Sequence, residues 1–215
     1  MIHLTQRNWN SVSQDMVLSN PYNYAVMDNF LKARSLKVIR QKLINHPGWH
    51  RKNWFTPCLN NDNPSIPEVN EIVKNLEILC PDIFRKYEYV ECWSLMYLNN
   101  TAAGIHADEV DLTLNIWLTS DSYNLNKYAS GLVFYDVKCG FSQSSEICLH
   151  EDYYTSSEAF VRQNTKGQKV NVSYKYNRAV LFDGQTFHKT DNLNFVNQGI
   201  DSYRINLALG FNARY

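Results

Sequence analysis

The sequence predicts a mainly β domain, a sandwich or barrel with helices packed against one side. Two segments in the first third of the chain have helical periodicity, whereas from Tyr87 onward apolar residues recur at every second position. Aromatic residues, which half-buried strands favour, make up 13% of the 215 residues. Helices followed by many short strands are typical of a β core buttressed by helices.

The N-terminal part of the chain supplies the supporting elements. An alternating apolar stretch at 20–31 predicts an edge strand, and apolar residues at helical spacing predict a helix over 32–46. Proline and glycine within 46–57 predict a loop. A second helix is predicted over 65–80, where Ser65 can cap the first turn.

The rest of the chain is predicted to be β structure. The predicted strands are 87–98, 110–119, 131–137, 170–176, 178–183 and 202–211. The chain has no internal repeat or linker, and its length favours one core. We therefore expect a single domain over 1–215, with helical support over about 1–86 and a β core over about 87–215.

Composition restricts the partners and the compartment. Lys and Arg number 21, as do Asp and Glu, so no basic field attracts nucleic acid or an anionic membrane. The N-terminus lacks the apolar region of a signal peptide, and no apolar run is long enough to span a bilayer. Five scattered cysteines without a C-x-x-C pair indicate reduced thiols, so we expect a cytoplasmic protein.

The stretch "GIHADEVDLTLNIWLT" at 104–119 contains the strongest functional signal. His106 and Asp108 precede a predicted strand, and residues two apart in an extended chain point the same way. His188 follows another predicted strand, "RAVLFD", and its turn. Two histidines and one carboxylate leave metal positions open and suit non-haem Fe(II). By itself, an H-x-D pair is more often a surface ion pair or a capping feature.

A cation in the last predicted strand points to an anionic ligand. In "SYRINLALGF", Arg204 shares one face with Asn206 and Ala208. Arginine is rarely buried without a partner, and its planar fork suits a carboxylate. An internal salt bridge or an outward-facing position would also explain Arg204. Lys189 and Arg178 are alternative cations for the same role.

These segments together resemble the Fe(II)- and 2-oxoglutarate-dependent oxygenases. The similarity lies in "HAD" (106–108), "FHKTD" around His188 and "YRINLALGF" around Arg204, covers about 87–212, and is closest to small prolyl-hydroxylase-like members. The resemblance implies a double-stranded β-helix, the jelly-roll or cupin-like fold. It also implies that His106, Asp108 and His188 bind Fe(II), that Arg204 holds the distal carboxylate of 2-oxoglutarate, and that O₂ is consumed.

Two further residues are assigned to 2-oxoglutarate. Prolyl-hydroxylase-like members often use a tyrosine from the strand before H-x-D, and Tyr97 occupies a comparable place. Its alternative interpretation is a strand tyrosine with its hydroxyl at the rim. Asn115 is a polar residue within an apolar strand and could bond the co-substrate if that face lines the pocket, although a solvent-facing strand fits as well.

The substrate site is assigned to Trp117, Tyr153 and Tyr154. Both tyrosines lie in 138–168, a stretch too long for a hairpin turn and rich in aromatic and acidic residues. We expect this stretch to fold over the pocket mouth and to favour an amine-bearing substrate. An insertion that makes homo-oligomer contacts is the alternative.

The implied activity is hydroxylation of an amino acid, a peptide residue or a small polar metabolite, with release of succinate and CO₂. The sequence is also compatible with two other classes of protein. One is a non-catalytic binding protein on a jelly-roll scaffold, because a fold does not define a function. The other is a cupin-type metal enzyme that does not use 2-oxoglutarate and would not need Arg204.

Overall fold

The computed structural model describes residues 1–51, 58–140 and 153–214, without the side chains of Cys58, Tyr153 and Tyr154. The helices are α1 (Asn10–Leu18), α2 (Ala33–Ile44), α3 (Pro67–Leu79), α4 (Pro81–Phe84) and α5 (Tyr153–Asn164), with a 3₁₀ turn at Asp121–Tyr123. The strands are β1 (Tyr24–Met27), β2 (Cys58–Asp62), β3 (Tyr87–Tyr97), β4 (Leu112–Trp117), β5 (Leu132–Lys138), β6 (Lys169–Val172), β7 (Ala179–Asp183), β8 (Thr186–Thr190) and β9 (Arg204–Ala213). None of the described helices has the length and apolar character needed to cross a bilayer.

The strands form two antiparallel sheets. The larger, which we name the major sheet, has the order β1-β7-β4-β9-β3-β2, and the minor sheet has the order β6-β5-β8. A bridge between His106 and His188 adds the segment before β4 to the β8 edge of the minor sheet. The protein is therefore a two-sheet β fold with flanking helices, as the sequence predicts.

The outer face of the major sheet carries the main core. Leu114 of β4 and Leu207 of β9 are fully buried there against Ile39 of α2 and Ile72 of α3. Alternation along the strands supplies the apolar face, and the 3.6-residue period supplies the helical stripes. Complete burial of one such side chain stabilises the fold by about 1.5–3 kcal/mol.

A second core lies between the two sheets. It joins Trp117 and Phe182 of the major sheet to Leu132 and Phe134 of the minor sheet. Because successive side chains on a strand point to opposite faces, the residues between the outward leucines of β4 are directed into this space. The inner faces of the two sheets therefore enclose the region in which the predicted site residues lie.

The structure departs from the predicted elements in the N-terminal part. The strand β1 confirms the edge strand predicted within 20–31, but β2 at the opposite edge of the major sheet was not predicted. The helix α1 was not predicted, because only Val12 of that helix is buried and the apolar periodicity is weak. The strand predicted over 170–176 ends at Val172. The predicted loop over 46–57 lies partly outside the described residues.

Helix α5 is the described helical part of the 138–168 stretch, for which a position over the pocket mouth stays a prediction. Phe160 and Val161 of α5 pack with Val137 and Phe187, and Phe187 precedes His188 on β8. Since neighbouring strand residues point to opposite faces, α5 covers the outside of the minor sheet and not the His188 side. The segment 141–152 lies outside the described residues.

Three of the five cysteines belong to the described residues with their side chains. Cys80, Cys92 and Cys139 are free and buried. Burial raises the pKa of Cys80 to about 11, so that thiol stays protonated at neutral pH.

Candidate metal centre

Two neighbouring segments hold the predicted metal ligands. The backbone N–H of His106 donates to the carbonyl of His188 at 2.9 Å, and His188 returns the bond at 2.8 Å. The two residues are therefore directly opposed, and their ring centroids lie 4.3 Å apart. Asp108 is held next to them, because its N–H donates to the carbonyl of Gly184 at 2.9 Å. The chain positions all three residues through backbone hydrogen bonds.

The ligand atoms converge on one point. Asp108 Oδ1 lies 3.9 Å from the Nε2 atom of His106 and 3.9 Å from the Nε2 atom of His188. One potential ligand atom from each residue lies within 4.8 Å of the other two. Two metal–ligand bonds of about 2.1 Å span up to about 4.2 Å, so a transition-metal ion can be bound with small side-chain adjustments.

Hydrogen bonds orient each ligand. Nδ1 of His106 lies 2.8 Å from the carbonyl of Gly104, and Nδ1 of His188 lies 3.0 Å from the carbonyl of Thr186. A carbonyl only accepts, so each Nδ1 carries the proton and the lone pair of a neutral ring is on Nε2. The hydroxyl of Thr113 donates to Asp108 Oδ2 at 2.6 Å, so Oδ1 faces the histidines. Such contacts around ligands fix their direction and tautomer.

Burial keeps His188 in the form that binds metals. Its side chain is 4% exposed, against 11% for Asp108 and 23% for His106. Desolvation, followed by the nearby His106 ring, lowers the pKa of His188 to about 4. The rings of Phe182 and Phe134 lie 4.8 and 5.8 Å from it. His188 is therefore neutral at physiological pH, and the His188 side of the metal centre is shielded from solvent.

Arg204 lies in an aromatic enclosure at the other end of the inner face. Its residue exposure is 2%, and Nε donates to the carbonyl of Ser130 at 3.1 Å. The guanidinium carbon lies 4.9 Å from the Tyr97 ring, 5.8 Å from Trp117 and 5.7 Å from Tyr174. Among the described residues, no carboxylate lies within salt-bridge distance of Arg204. A buried guanidinium of this kind calls for an anion.

The alternative cations are placed differently. Arg178 donates from Nε and Nη2 to the carboxylate of Asp28, at 2.5 and 3.1 Å, and also to the carbonyl of Ser173. Lys189 alternates with His188 on β8 and therefore points to the opposite face. Within the described part of the chain, Arg204 is thus the buried cation of the inner face that lacks a carboxylate.

The inner face of β4 connects the metal centre to Arg204. Thr113 contacts Asp108, Asn115 follows on the same face, and Trp117 ends the row beside Arg204. Four residues of extended chain span about 13 Å. The buried Nε1 of Trp117 has no hydrogen-bond partner among the described residues. Asn115 Oδ1 accepts from Asn206 at 2.6 Å, which orients the side-chain amide of Asn115.

The remaining predicted residues differ in accessibility. The hydroxyl of Tyr97 shares a hydrogen bond of 3.0 Å with Thr190, and Tyr97 is buried beside Arg204. Trp117 is fully buried, although it was predicted for the substrate site. The side chains of Tyr153 and Tyr154 lie outside the described residues. Sequence reasoning missed Thr113 as a partner of Asp108, although its place two residues before Asn115, on the same strand face, was a signal.

Comparison with protein-family models and with curated protein sequences finds no match. Comparison with solved structures finds several similar folds. The 2-oxoglutarate-dependent carbocyclase SnoK of nogalamycin biosynthesis aligns with a TM-score of 0.68 at 13% identity, over 96% of this chain and 86% of its own. HygX from Streptomyces hygroscopicus, solved with nickel and 2-oxoglutarate, has a TM-score of 0.63 at 10% identity, over 94% and 87%. A Pseudomonas putida prolyl-4-hydroxylase has a TM-score of 0.61 at 12% identity, over 96% and 100%.

These likenesses extend over nearly the whole chain, including its N-terminal helices. At such low identities they concern the fold and carry no residue assignments. The two antiparallel sheets that hold the converged ligand atoms therefore form a known architecture. The protein has the double-stranded β-helix fold of the Fe(II)- and 2-oxoglutarate-dependent oxygenases.

Proposed function

We propose that the protein is an Fe(II)- and 2-oxoglutarate-dependent oxygenase. The observation that carries the proposal is the convergence of the His106, Asp108 and His188 ligand atoms, each oriented by a hydrogen bond on its far side. A surface ion pair does not require two imidazoles with fixed tautomers. A metal ligand does, because only the unprotonated nitrogen binds.

The donor set fits iron. Two imidazole nitrogens and one carboxylate oxygen are the ligands that non-haem Fe(II) oxygenases use, and they leave positions for a co-substrate and O₂. A thiolate would favour other metals, and no cysteine belongs to the described ligand cluster. We therefore assign His106, Asp108 and His188 as the metal ligands.

The buried end of the inner face fits 2-oxoglutarate. Arg204 would hold the distal carboxylate, because a guanidinium binds a carboxylate through two parallel hydrogen bonds. Trp117 would donate its unpartnered Nε1–H to the same anion, which gives this residue a co-substrate role instead of the predicted substrate role. The Tyr97 ring would pack against the Arg204 guanidinium. Asn115 would contact the co-substrate between the metal centre and Arg204.

When bound, Fe(II) and 2-oxoglutarate supply the oxidation of an unactivated C–H bond, with O₂ consumed and succinate and CO₂ released. The chain's own contribution is binding, orientation and exclusion of water. Thr113 holds Asp108 so that one oxygen is directed at the histidines. Phe134 and Phe182 cover His188 and exclude water from that side of the metal centre. The low local dielectric strengthens the charged contacts there.

Hydroxylation is the outcome that we propose, on an amino acid, a peptide residue or a small polar metabolite. The same residues would serve a cyclisation or epimerisation, and the structurally similar proteins include a carbocyclase. A cupin-type metal enzyme without 2-oxoglutarate is the second function to consider. The Arg204 enclosure disfavours it, because that chemistry has no use for a buried cation without a carboxylate.

Succinate release tests the proposal. The protein would be loaded anaerobically with Fe(II), mixed with 2-oxoglutarate and O₂, and screened with free amino acids and basic, acidic and neutral peptides. We expect succinate formation that depends on metal and that the His106→Ala variant loses. If the wild-type protein binds neither Mn(II) nor 2-oxoglutarate in calorimetry, the proposal is refuted.

A further inference from the structure

The inner face of the major sheet continues beyond the metal centre onto β3 and β2. Five side chains form this part, which we name the β2–β3 wall: Asn60, Asp62, Glu91, Trp93 and Leu95. In the strand register, Asp62 is opposite Trp93 and Asn60 is opposite Leu95. Directly opposed residues of antiparallel strands share a face. The five side chains therefore belong to one surface.

This wall lies next to the metal centre. Glu91 and Thr113 are both paired with Gly210 of β9, and Thr113 bonds Asp108. A Cβ built on Gly210 would lie 2.8 Å from Val110 Cγ1, 3.2 Å from Trp93 Cζ3 and 3.4 Å from Glu91 Cγ. The missing side chain thus lets Trp93 and Glu91 lie over β9. With strands about 4.8 Å apart, the wall is about 10 Å from Thr113.

The wall is open where the co-substrate end is closed. Asp62 and Glu91 are exposed, and Trp93 and Leu95 are half-buried. By contrast, Arg204 and Tyr97 at the other end of the same face are buried. A second molecule can therefore reach the metal centre along the wall while 2-oxoglutarate occupies the Arg204 end.

The charges of the wall favour a cation. Within the described part of the chain, Glu91 has no basic group within salt-bridge distance, and Asp62 has only His50, whose Nε2 lies 3.5 Å away. A half-buried indole between two carboxylates attracts an ammonium or guanidinium group by cation–π and charge-assisted contacts.

Asn60 supplies an independent sign of a ligand. It is 6% exposed, and its Nδ2 has no hydrogen-bond partner among the described residues. Buried donors are almost always bonded, so an unpartnered one on a pocket wall indicates an acceptor that arrives with the ligand. Asn60 and Asp62 are two residues apart on one face, which separates the donor from the acid by about 7 Å.

We propose that the β2–β3 wall binds the substrate and selects a basic amino-acid residue, free or within a peptide. Its ammonium or guanidinium group lies against Trp93 between Glu91 and Asp62. Its carbonyl oxygen accepts from Asn60, and the carbon to be oxidised faces the metal centre. This proposal rests on the proposed function, since it names the substrate class of the same site.

Paramagnetic relaxation measures binding without turnover. The protein would be loaded with Mn(II) and 2-oxoglutarate under nitrogen, and the proton relaxation of each probe would be titrated. The probes are Nα-acetyl-arginine amide, its neutral isostere Nα-acetyl-citrulline amide, and the anionic Nα-acetyl-glutamate amide. We expect the cation to bind at least about fivefold more tightly than the isostere, and the anion most weakly.

Matched variants separate the wall from general charge effects. Glu91→Gln should lower the preference for the cation at least about threefold, whereas Glu158→Gln on α5, an equal change of net charge on an exposed carboxylate, should leave it unchanged. Equal affinities for the three probes, or equal effects of the two variants, overturn the substrate assignment while the proposed function stands. A wild-type protein that binds neither Mn(II) nor 2-oxoglutarate overturns both the substrate assignment and the proposed function.

Discussion

Replacement of Arg204 by methionine tests the co-substrate site most directly. The change removes a guanidinium that is 2% exposed and keeps a side chain of similar length within the enclosure of Tyr97, Trp117 and Tyr174. Two charge-assisted hydrogen bonds to a carboxylate are worth about 1.5–3 kcal/mol each. The loss of at least about 3 kcal/mol should weaken 2-oxoglutarate binding about a hundredfold or more.

A ligand series isolates the contact. 2-Oxopentanoate has the carbon chain of 2-oxoglutarate with a methyl group in place of the distal carboxylate. Calorimetry on the Mn(II) protein would measure both ligands on the wild-type and Arg204→Met proteins. We expect the wild-type protein to prefer 2-oxoglutarate and the variant to bind both ligands equally. The four affinities form a double-mutant cycle, which isolates the interaction of the Arg204 guanidinium with the distal carboxylate.

Arg178→Met is the matched control for this measurement. Arg178 is also mostly buried, with 16% of its side chain exposed, but its partner is Asp28. The control should keep both the 2-oxoglutarate affinity and the Mn(II) affinity of the wild-type protein. An Arg204→Met protein that binds Mn(II) normally and 2-oxoglutarate within about threefold of wild type would refute the assignment.

Two further outcomes are expected. Thr113→Val removes the hydroxyl that orients Asp108, so the metal affinity should fall about 10- to 100-fold in a competition titration with a chelator. The control Thr155→Val changes an exposed residue of α5 and should have no effect on the metal affinity. The Arg178 hydrogen bond is the main cause that lowers the pKa of Asp28 to about 2, so this carboxylate stabilises the fold above its ordinary pKa of 3.8, and the contribution is lost as pH falls towards 2. The difference in unfolding free energy between wild type and Arg178→Met should therefore shrink between pH 4 and pH 2 in denaturant titrations, and a difference that grows in this range contradicts the pairing.

The sequence by itself determined the β class and the three candidate metal ligands. The period-2 pattern depends only on the alternation of side chains along an extended chain, so it correctly separated the face of Arg204 from that of Leu207. The H-x-D spacing put His106 and Asp108 together for the same reason. His188 was found because it follows another predicted strand and its turn, a place similar to that of His106 at the end of a strand.

Only the tertiary structure showed which of the three candidate cations is buried on the inner face without a carboxylate partner among the described residues. Arg204, Arg178 and Lys189 are equivalent in sequence, but Arg178 meets Asp28 from a distant segment, and Lys189 points away from His188. Contacts between segments far apart in the chain leave no local periodicity to read. The same reason applies to Trp117, whose burial against Arg204 depends on the pairing of β4 with β9.

The edge strand β2 and the β2–β3 wall were likewise decided by the fold. The polar segment of β2 has no alternating pattern and becomes a strand because β3 offers it an unpaired edge. That pairing puts Asn60 and Asp62 beside Trp93. Helix α5 packs outside the minor sheet because Phe187 and Val137 present an apolar face there. Local sequence determined the alternation of the strands, and long-range packing determined which faces meet.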